Sequence, residues 1–452
     1  MNNNLNNINF HIVTFGCQMN KHDSERIYGL LESLGANYVD NINNSDIVIY
    51  MTCCVREAAD TRLYGQVSSI KNIPLRQNSP INKRIIAVGG CIGQRDGNKL
   101  IDKVNNINIV FGTHNIANLP NLIFECINNQ SNQVEILDES SEFSCSLPTH
   151  REDFWAAWVP ITTGCNNFCS YCIVPYVRGR EKSRDIEDIL TEIKNYKLNG
   201  VKEVTLLGQN VNSYGRDLYG QPRFYDLLCR VDELNIPRIR FTTSHPKDLS
   251  DDVISCFGKL KNLMPALHLP VQSGSNKVLK SMNRHYSVEH YLNLIDKLKI
   301  ANPNIALSTD IIVGFPNETQ ADFDATYNLI EKVQYHQVFS FIYSKRAGTP
   351  AAKMENCSTK DEIQSRFNKL LEVIANGAYK QNKKEMNKSI DVLFTGVSKK
   401  DKNVLVGKSP KNQTVHVPLS ENNNVDDFVG KIKKVKINDT KTWYLNGSFY
   451  CE

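Results

Sequence analysis

Three cysteines in the run Cys165-Asn-Asn-Phe-Cys169-Ser-Tyr-Cys172 carry the strongest chemical signal in this sequence of 452 residues. Thiolates are soft ligands that suit iron–sulfur clusters or zinc. Three close cysteines without a nearby fourth ligand leave one metal position open, and an open position is where a cofactor or substrate can bind and react. A structural zinc knot is the alternative, but it wants a fourth Cys or His close by, and none lies near Cys172. A second set is dispersed: Cys17 in Thr-Phe-Gly-Cys-Gln-Met-Asn, Cys53 in Met-Thr-Cys-Cys-Val-Arg-Glu and Cys91 in Val-Gly-Gly-Cys-Ile-Gly-Gln. Isolated cysteines are often small buried hydrophobes, so these three matter only if the fold gathers them.

The surrounding pattern suggests that it does. Apolar strand-like runs at 11–15, 46–51 and 84–88 alternate with helical patterns over 23–33 and 55–69, and each of the three cysteines follows one of those strands. In a parallel α/β sheet the loops at the carboxyl ends of the strands converge on one edge, where ligands bind. Residues 137–153 are acidic and polar and read as a linker. From residue 157 a βα rhythm resumes, with strands expected at 159–163, 201–208, 238–244, 266–272, 306–314 and 337–343, and helices such as 186–198, 288–300 and 318–333 between them. That repeat predicts a β/α barrel or part of one, with function on the loops after the strands. A long helix over 360–386 leads to short β-like runs at 390–395, 404–407, 414–418 and 431–438, the pattern of a small antiparallel barrel. The expectation is an α/β protein of three domains: 10–145, a partial six-stranded barrel over 151–382, and a small β-barrel over 383–449.

Composition narrows the class. The chain has 13 cysteines, no run of 18 apolar residues, and an Asn-rich start, Met1 to Phe10, without the features of a secretory signal. That start reads as a short disordered tail, cytosolic residence is expected, and a reducing compartment disfavours disulfides. Cys126, Cys145, Cys229, Cys256, Cys357 and Cys451 show no spacing logic and read as structural. A net charge of +5 permits a polyanionic partner without requiring one.

The Cys165–Cys172 motif with its βα repeat resembles the radical S-adenosylmethionine (SAM) superfamily. The resemblance implies a 4Fe–4S cluster whose open iron chelates SAM, and reductive cleavage of SAM to a 5′-deoxyadenosyl radical. It also implies SAM contacts from Gly208, Gln209 and Asn210 after the second strand, and from Ser308, Asp310 and Gly314 at a later one, although a Gly-Gln-Asn by itself is more often a turn. The contexts of Cys17, Cys53 and Cys91 resemble the amino-terminal domain of the radical SAM methylthiotransferases, in which such cysteines hold an auxiliary 4Fe–4S cluster. By register with that family Cys53 is the ligand and its neighbour Cys54 is not; Met51 departs from the family's Asn.

Runs such as Leu206-Leu-Gly-Gln-Asn-Val-Asn-Ser-Tyr214 and His268-Leu-Pro-Val-Gln-Ser-Gly274 are similar to the branch acting on N6-isopentenyladenosine beside the tRNA anticodon. They imply transfer of a methylthio group to C2 of that base with two SAM per turnover, one methylating a sulfur on the auxiliary cluster and one being cleaved. The alternatives are threonylcarbamoyladenosine in tRNA or a ribosomal protein. A low-potential reductant such as flavodoxin or ferredoxin, iron–sulfur assembly proteins and a monomeric state are further expectations.

The carboxyl-terminal region resembles a TRAM domain, an RNA-binding barrel, and brings Lys399, Lys400, Lys402, Lys408, Lys411, Lys431, Lys433, Lys434 and Lys436 with Trp443 and Tyr444. By composition alone a lysine run is a solvated face. Arg178, Arg180 and Arg184 could bind phosphate, shield a cluster, or pair with Glu181 and Asp185.

Overall fold

The structure is a computed structural model that describes residues 4–54, 57–138, 147–420 and 424–449, and it divides into two compact units. The first unit comprises 1–152 with 163–166 and 172–182; the second comprises 153–162, 167–171 and 183–452. Cys145 and Cys451 lie outside the described residues, as do Val55 and Arg56 at the start of the expected helix over 55–69.

The first unit is built on a parallel sheet in the order Asn37–Tyr38, Asn9–Thr14, Ile47–Thr52, Ile85–Gly90, Ile109–Phe111 and Gln133–Glu135. The two central strands are buried along their whole length, and alternate residues serve opposite faces. Ile47, Ile49 and Met51 join one apolar core; Val48 and Tyr50 join the other. Helices Gln18–Ser33, Glu57–Ile70 and Leu119–Asn129 follow strands of this sheet. The strands at 37–38, 109–111 and 133–135 were not foreseen, because two or three residues carry too little periodicity. The expected disordered tail is corrected as well. Leu5 and Ile8 are buried, and the Leu5 amide donates to Leu34 O (2.8 Å), so two apolar residues pin an otherwise polar run. The expected linker is partly ordered too. The His150 ring stacks on Tyr28 (3.8 Å between centroids), and Arg26 Nη1 donates to Leu147 O (2.5 Å); residues 139–146 of it lie outside the described residues.

In the second unit six parallel strands follow one another in chain order. Ala156–Pro160, Glu203–Leu207 and Arg238–Thr242 form one sheet, and Ala266–His268, Ala306–Val313 and Gln337–Ile342 another. A single parallel bridge, Ile239 to Leu263, leads from one towards the other, giving an open, partial barrel. Its helices begin where the sequence supplies caps. Asp185, Ser250 and Ser287 accept first-turn amides, and Thr319 and Thr359 form reciprocal capping boxes with Asp322 and Glu362. After helix Lys360–Lys383 comes a closed barrel in the order Ser389–Val397, Val404–Lys408, Thr414–Pro418, Tyr444–Phe449 and Ile432–Thr440. Tyr444–Phe449 is the strand the pattern missed; it pairs parallel to Thr414–Pro418 and closes the cylinder. Among the described residues no helix is long and apolar enough to cross a membrane.

Two arginines of one barrel strand bind the small barrel. Arg238 is fully buried and donates to Lys408 O (2.9 Å) and Asp391 O (2.8 Å). Arg240 donates to Pro410 O and Ser409 O (both 3.0 Å) and pairs with Glu203 (2.9 Å).

Candidate active site

Each amino-terminal cysteine stands where a strand gives way to a helix. Cys17 is the cap residue of Gln18–Ser33, Cys53 follows Ile47–Thr52, and Cys91 is the first residue of Cys91–Asp96. Helix amino termini favour a thiolate. Side chains stitch the three loops together. Asn20 Nδ2 donates to Phe15 O (2.8 Å) and Thr52 O (2.7 Å), joining the loops of Cys17 and Cys53. Thr52 Oγ1 donates to Gly89 O (2.6 Å) and accepts from the Ile92 amide (3.1 Å), joining those of Cys53 and Cys91. Gly16, at φ +118°, leaves room for Cys53, since a Cβ there would lie 2.4 Å from Cys53 Cβ.

Arg178 reaches the same place. Its Nη2 donates to Asn20 Oδ1 (3.0 Å) and lies 3.4 Å from Asp23 Oδ2. The neighbouring Cys54 and Cys91 thiols push each other's pKa apart, Cys54 up and Cys91 down, and Arg178 favours the Cys91 thiolate further. Among the described residues no three His, Cys, Asp or Glu side chains converge as ligands of a single ion would. A 4Fe–4S core binds each thiolate through a different iron and needs no such convergence. Three thiols on three linked loops are a donor set that fits it.

In the motif 165–172, Cys165 and Cys169 are buried and Cys172 is half-buried. The Cys165 amide donates to Gly179 O (3.2 Å), and a Cβ on Gly164 (φ +76°) would lie 2.1 Å from Arg180 O. In the second unit Arg284 Nη1 donates to Cys169 Sγ (3.5 Å) and Nη2 to Pro270 O (2.6 Å). Nothing in its spacing had marked Arg284.

The loops after the first three barrel strands hold buried polar atoms without a partner among the described residues: Thr162 Oγ1, Gln209 Oε1, Asn210 Oδ1, Asn212 Nδ2, Ser244 Oγ and His245 Nε2. Native interiors rarely leave such atoms unpaired, so their clustering fits a polar ligand. Burial, then Arg284, Lys247 and His285, drives the His245 pKa far down. Its Nδ1 accepts from the Lys247 amide (3.2 Å), so Nε2 of this neutral ring carries the proton. Gly208 is packed tightly, with a built Cβ only 2.3 Å from Thr162 Oγ1. Asn210 Nδ2 donates to Asp248 Oδ2 (2.8 Å). Ser308 and Asp310 share a partner: His268 Nδ1 is 3.1 Å from Ser308 Oγ, and Nε2 is 3.5 Å from Asp310 Oδ1. Gly314 (φ +71°) packs against Ile363, 2.7 Å from a built Cβ, and its amide donates to Glu318 (2.7 Å).

Profile and sequence relatives agree on one grouping. Residues 159–330 match the radical SAM superfamily, 9–112 match the uncharacterized protein family UPF0004, and 383–450 match the TRAM domain. A tRNA-2-methylthio-N(6)-dimethylallyladenosine synthase of Thermoanaerobacter sp. is 45% identical over 444 residues, 98% of this chain and 92% of that protein. The chain belongs to this synthase family. Its namesakes from Acetivibrio thermocellus (44%, 96% of this chain, 89% of theirs) and Clostridium tetani (45%, 97% and 95%) agree. The fold is shared with the radical SAM methyltransferase TsrM from Kitasatospora setae, at TM-score 0.56 and 11% identity over 77% of this chain and 74% of that one. Membership makes the chain a radical SAM enzyme of the transferase class, with a 4Fe–4S cluster and SAM as family cofactors.

Several expectations change with the side chains in place. Lys411 Nζ is tied to Glu385 (2.7 Å), and Lys408 is half-buried and donates to Thr414 Oγ1 (3.1 Å), so neither is a free surface cation. Lys399, Lys400, Lys402, Lys431, Lys433, Lys434 and Lys436 are exposed. Arg184 pairs with Glu192 (2.7 Å) and donates to Pro160 O (2.8 Å); Arg180 is exposed. Cys126 and Cys256 sit in apolar cores and Cys229 is half-buried. Cys357 is exposed, its thiol donating to Asn317 Oδ1 (3.3 Å), which corrects its reading as a structural cysteine.

Proposed function

We propose that this chain adds a methylthio group to C2 of N6-isopentenyladenosine beside the anticodon of tRNA. The near full-length identity to synthases of that name carries the reading. Within it, segment 10–145 holds an auxiliary cluster on Cys17, Cys53 and Cys91, segment 151–382 a second on Cys165, Cys169 and Cys172, and 383–449 contacts RNA. When bound, the clusters and two SAM per turnover supply one-electron cleavage of a sulfonium and a methylated sulfur for transfer.

The chain's own residues bind and orient. Arg284 steadies the Cys169 sulfur. Gln209 Oε1 and Asn210 Oδ1 offer acceptors to the N–H bonds of the SAM amino group, and the Nε2–H of His245 offers a donor. Gly208 keeps the Thr162 hydroxyl close, Gly314 sets the turn after its strand, and Ser308 and Asp310 act through their shared contact with His268. An adenine C2–H is too weakly acidic for proton abstraction at neutral pH, so no general base is assigned. Low-potential electrons come from a flavodoxin or ferredoxin, clusters from assembly proteins, and the enzyme works as a cytosolic monomer.

The test offers anaerobically reconstituted protein three acceptors in parallel: an anticodon stem-loop with isopentenyladenosine, one with threonylcarbamoyladenosine, and a ribosomal protein. Methylthiolation of the first alone is expected; product on another with none on the first refutes the reading. Cys17→Ala should lower iron from about eight to about four per chain, keep part of the SAM cleavage and abolish transfer.

A further inference from the structure

We infer that Arg178 is a positioning residue for the amino-terminal thiolates, a buried cation that compensates their charge and sets the reduction potential of the cluster they hold. The inference rests on the assignment of a cluster to Cys17, Cys53 and Cys91.

Arg178 is 5% exposed. Burying a guanidinium without compensation costs several kcal/mol, so a buried arginine marks a place with negative charge to meet. Its hydrogen-bond partners are Asn20 Oδ1 at 3.0 Å and Asp23 Oδ2 at 3.4 Å, and the same Asn20 Oδ1 lies 3.9 Å from Cys17 Sγ, with Cys91 close by.

The guanidinium is itself held by a second layer on helix Gln18–Ser33. Arg26 Nε donates to His22 Nε2 (3.3 Å), which leaves the ring proton on Nδ1, 3.3 Å from Asp23 Oδ1. His22, Asp23 and Arg26 are all buried. The line from Arg26 through His22 and Asp23 fixes Asp23, and Asp23 with Asn20 holds Arg178 beside the cysteine loops. A structural ion pair would need no link through Asn20 to the loops of Cys17 and Cys53.

The electrostatics give the direction of the effect. Three thiolates on an iron–sulfide core carry net negative charge, and reduction adds to it. A cation in a dry pocket favours the reduced form, and net charge is an established lever on cluster potential. Asp23 pulls the other way.

The test uses full-length protein carrying Cys165→Ala, Cys169→Ala and Cys172→Ala, which leaves only the amino-terminal cluster. Its midpoint potential is followed by electron paramagnetic resonance during redox titration, with iron content measured alongside. Arg178→Gln should shift the potential to more negative values, Arg178→Lys should recover part of the shift, and Asp23→Asn should move it to more positive values. A scaffold role predicts lost iron or lowered stability, but not shifts of opposite sign. An unchanged potential in Arg178→Gln with iron retained overturns the inference, as do shifts of the same sign in Arg178→Gln and Asp23→Asn. If Arg178→Gln retains no iron, the Arg178→Lys and Asp23→Asn shifts decide. If the background protein with native Arg178 binds no iron, the cluster assignment fails and the inference falls with it.

Discussion

Replacing Arg238 by Met should loosen the small barrel from the partial barrel while leaving both folded. The guanidinium makes charge-assisted bonds to Lys408 O and Asp391 O at 2.9 and 2.8 Å. Each such bond contributes ~1.5–3 kcal/mol. Relief of the buried charge offsets part of the loss; burial already pushes the Arg238 pKa down to about 10, while leaving it charged at neutral pH. Methionine fills most of the volume, so little cavity cost is added. The net expected loss is about 3 kcal/mol, roughly two decades in the docking equilibrium. Adding Arg240→Met removes the bonds to Ser409 O and Pro410 O and should deepen the effect. Limited proteolysis reads the change as faster release of a fragment cut near residue 383. Steady-state kinetics should show a higher KM for the stem-loop, with iron content and RNA-free SAM cleavage retained. Unchanged proteolysis and KM in the double variant would refute the idea that these arginines hold the RNA-binding barrel in place.

Gly208→Ala drives a methyl to 2.3 Å from Thr162 Oγ1 and should weaken SAM binding at least ~10-fold at unchanged iron content, as read by anaerobic calorimetry. Replacing the exposed Lys433, Lys434 and Lys436 by Gln should weaken tRNA binding and reduce the slope of log K against log salt by about one for each lysine on a phosphate. Lys411→Ala should leave that slope unchanged, because its charge is spent on Glu385. Burial pushes the Glu318 carboxyl up to about 7 despite the Gly314 amide and Arg366. Its stabilising share is then full below pH 4.5 and lost as pH rises through 7, by up to about 3 kcal/mol. Glu318→Gln should flatten that fall, which denaturant midpoints at pH 5 and pH 8 will check.

The barrel helices expected at 186–198, 288–300 and 318–333, the six barrel strands and the strand ends bearing Cys17, Cys53 and Cys91 were legible in the sequence because period, caps and thiol spacing are local properties. Ile186–Leu198 appears with the expected bounds, since Asp185 caps one end and its apolar stripe runs unbroken. Short strands escaped: Gln133–Glu135 and Tyr444–Phe449 are defined by their neighbours, not by their own pattern. Side-chain partners escaped for the same reason. Lys408, Lys411 and the exposed lysines look alike along the chain, and only folding ties Lys411 to Glu385 (2.7 Å). Arg178, Arg180 and Arg184 share one short stretch, yet they end up beside Asp23, exposed, and against Glu192 respectively. The sequence by itself determined which residue types could do the chemistry and which strands would carry them. The tertiary structure alone decided which charges meet, because a buried charge is set by desolvation and by neighbours that lie far away along the chain.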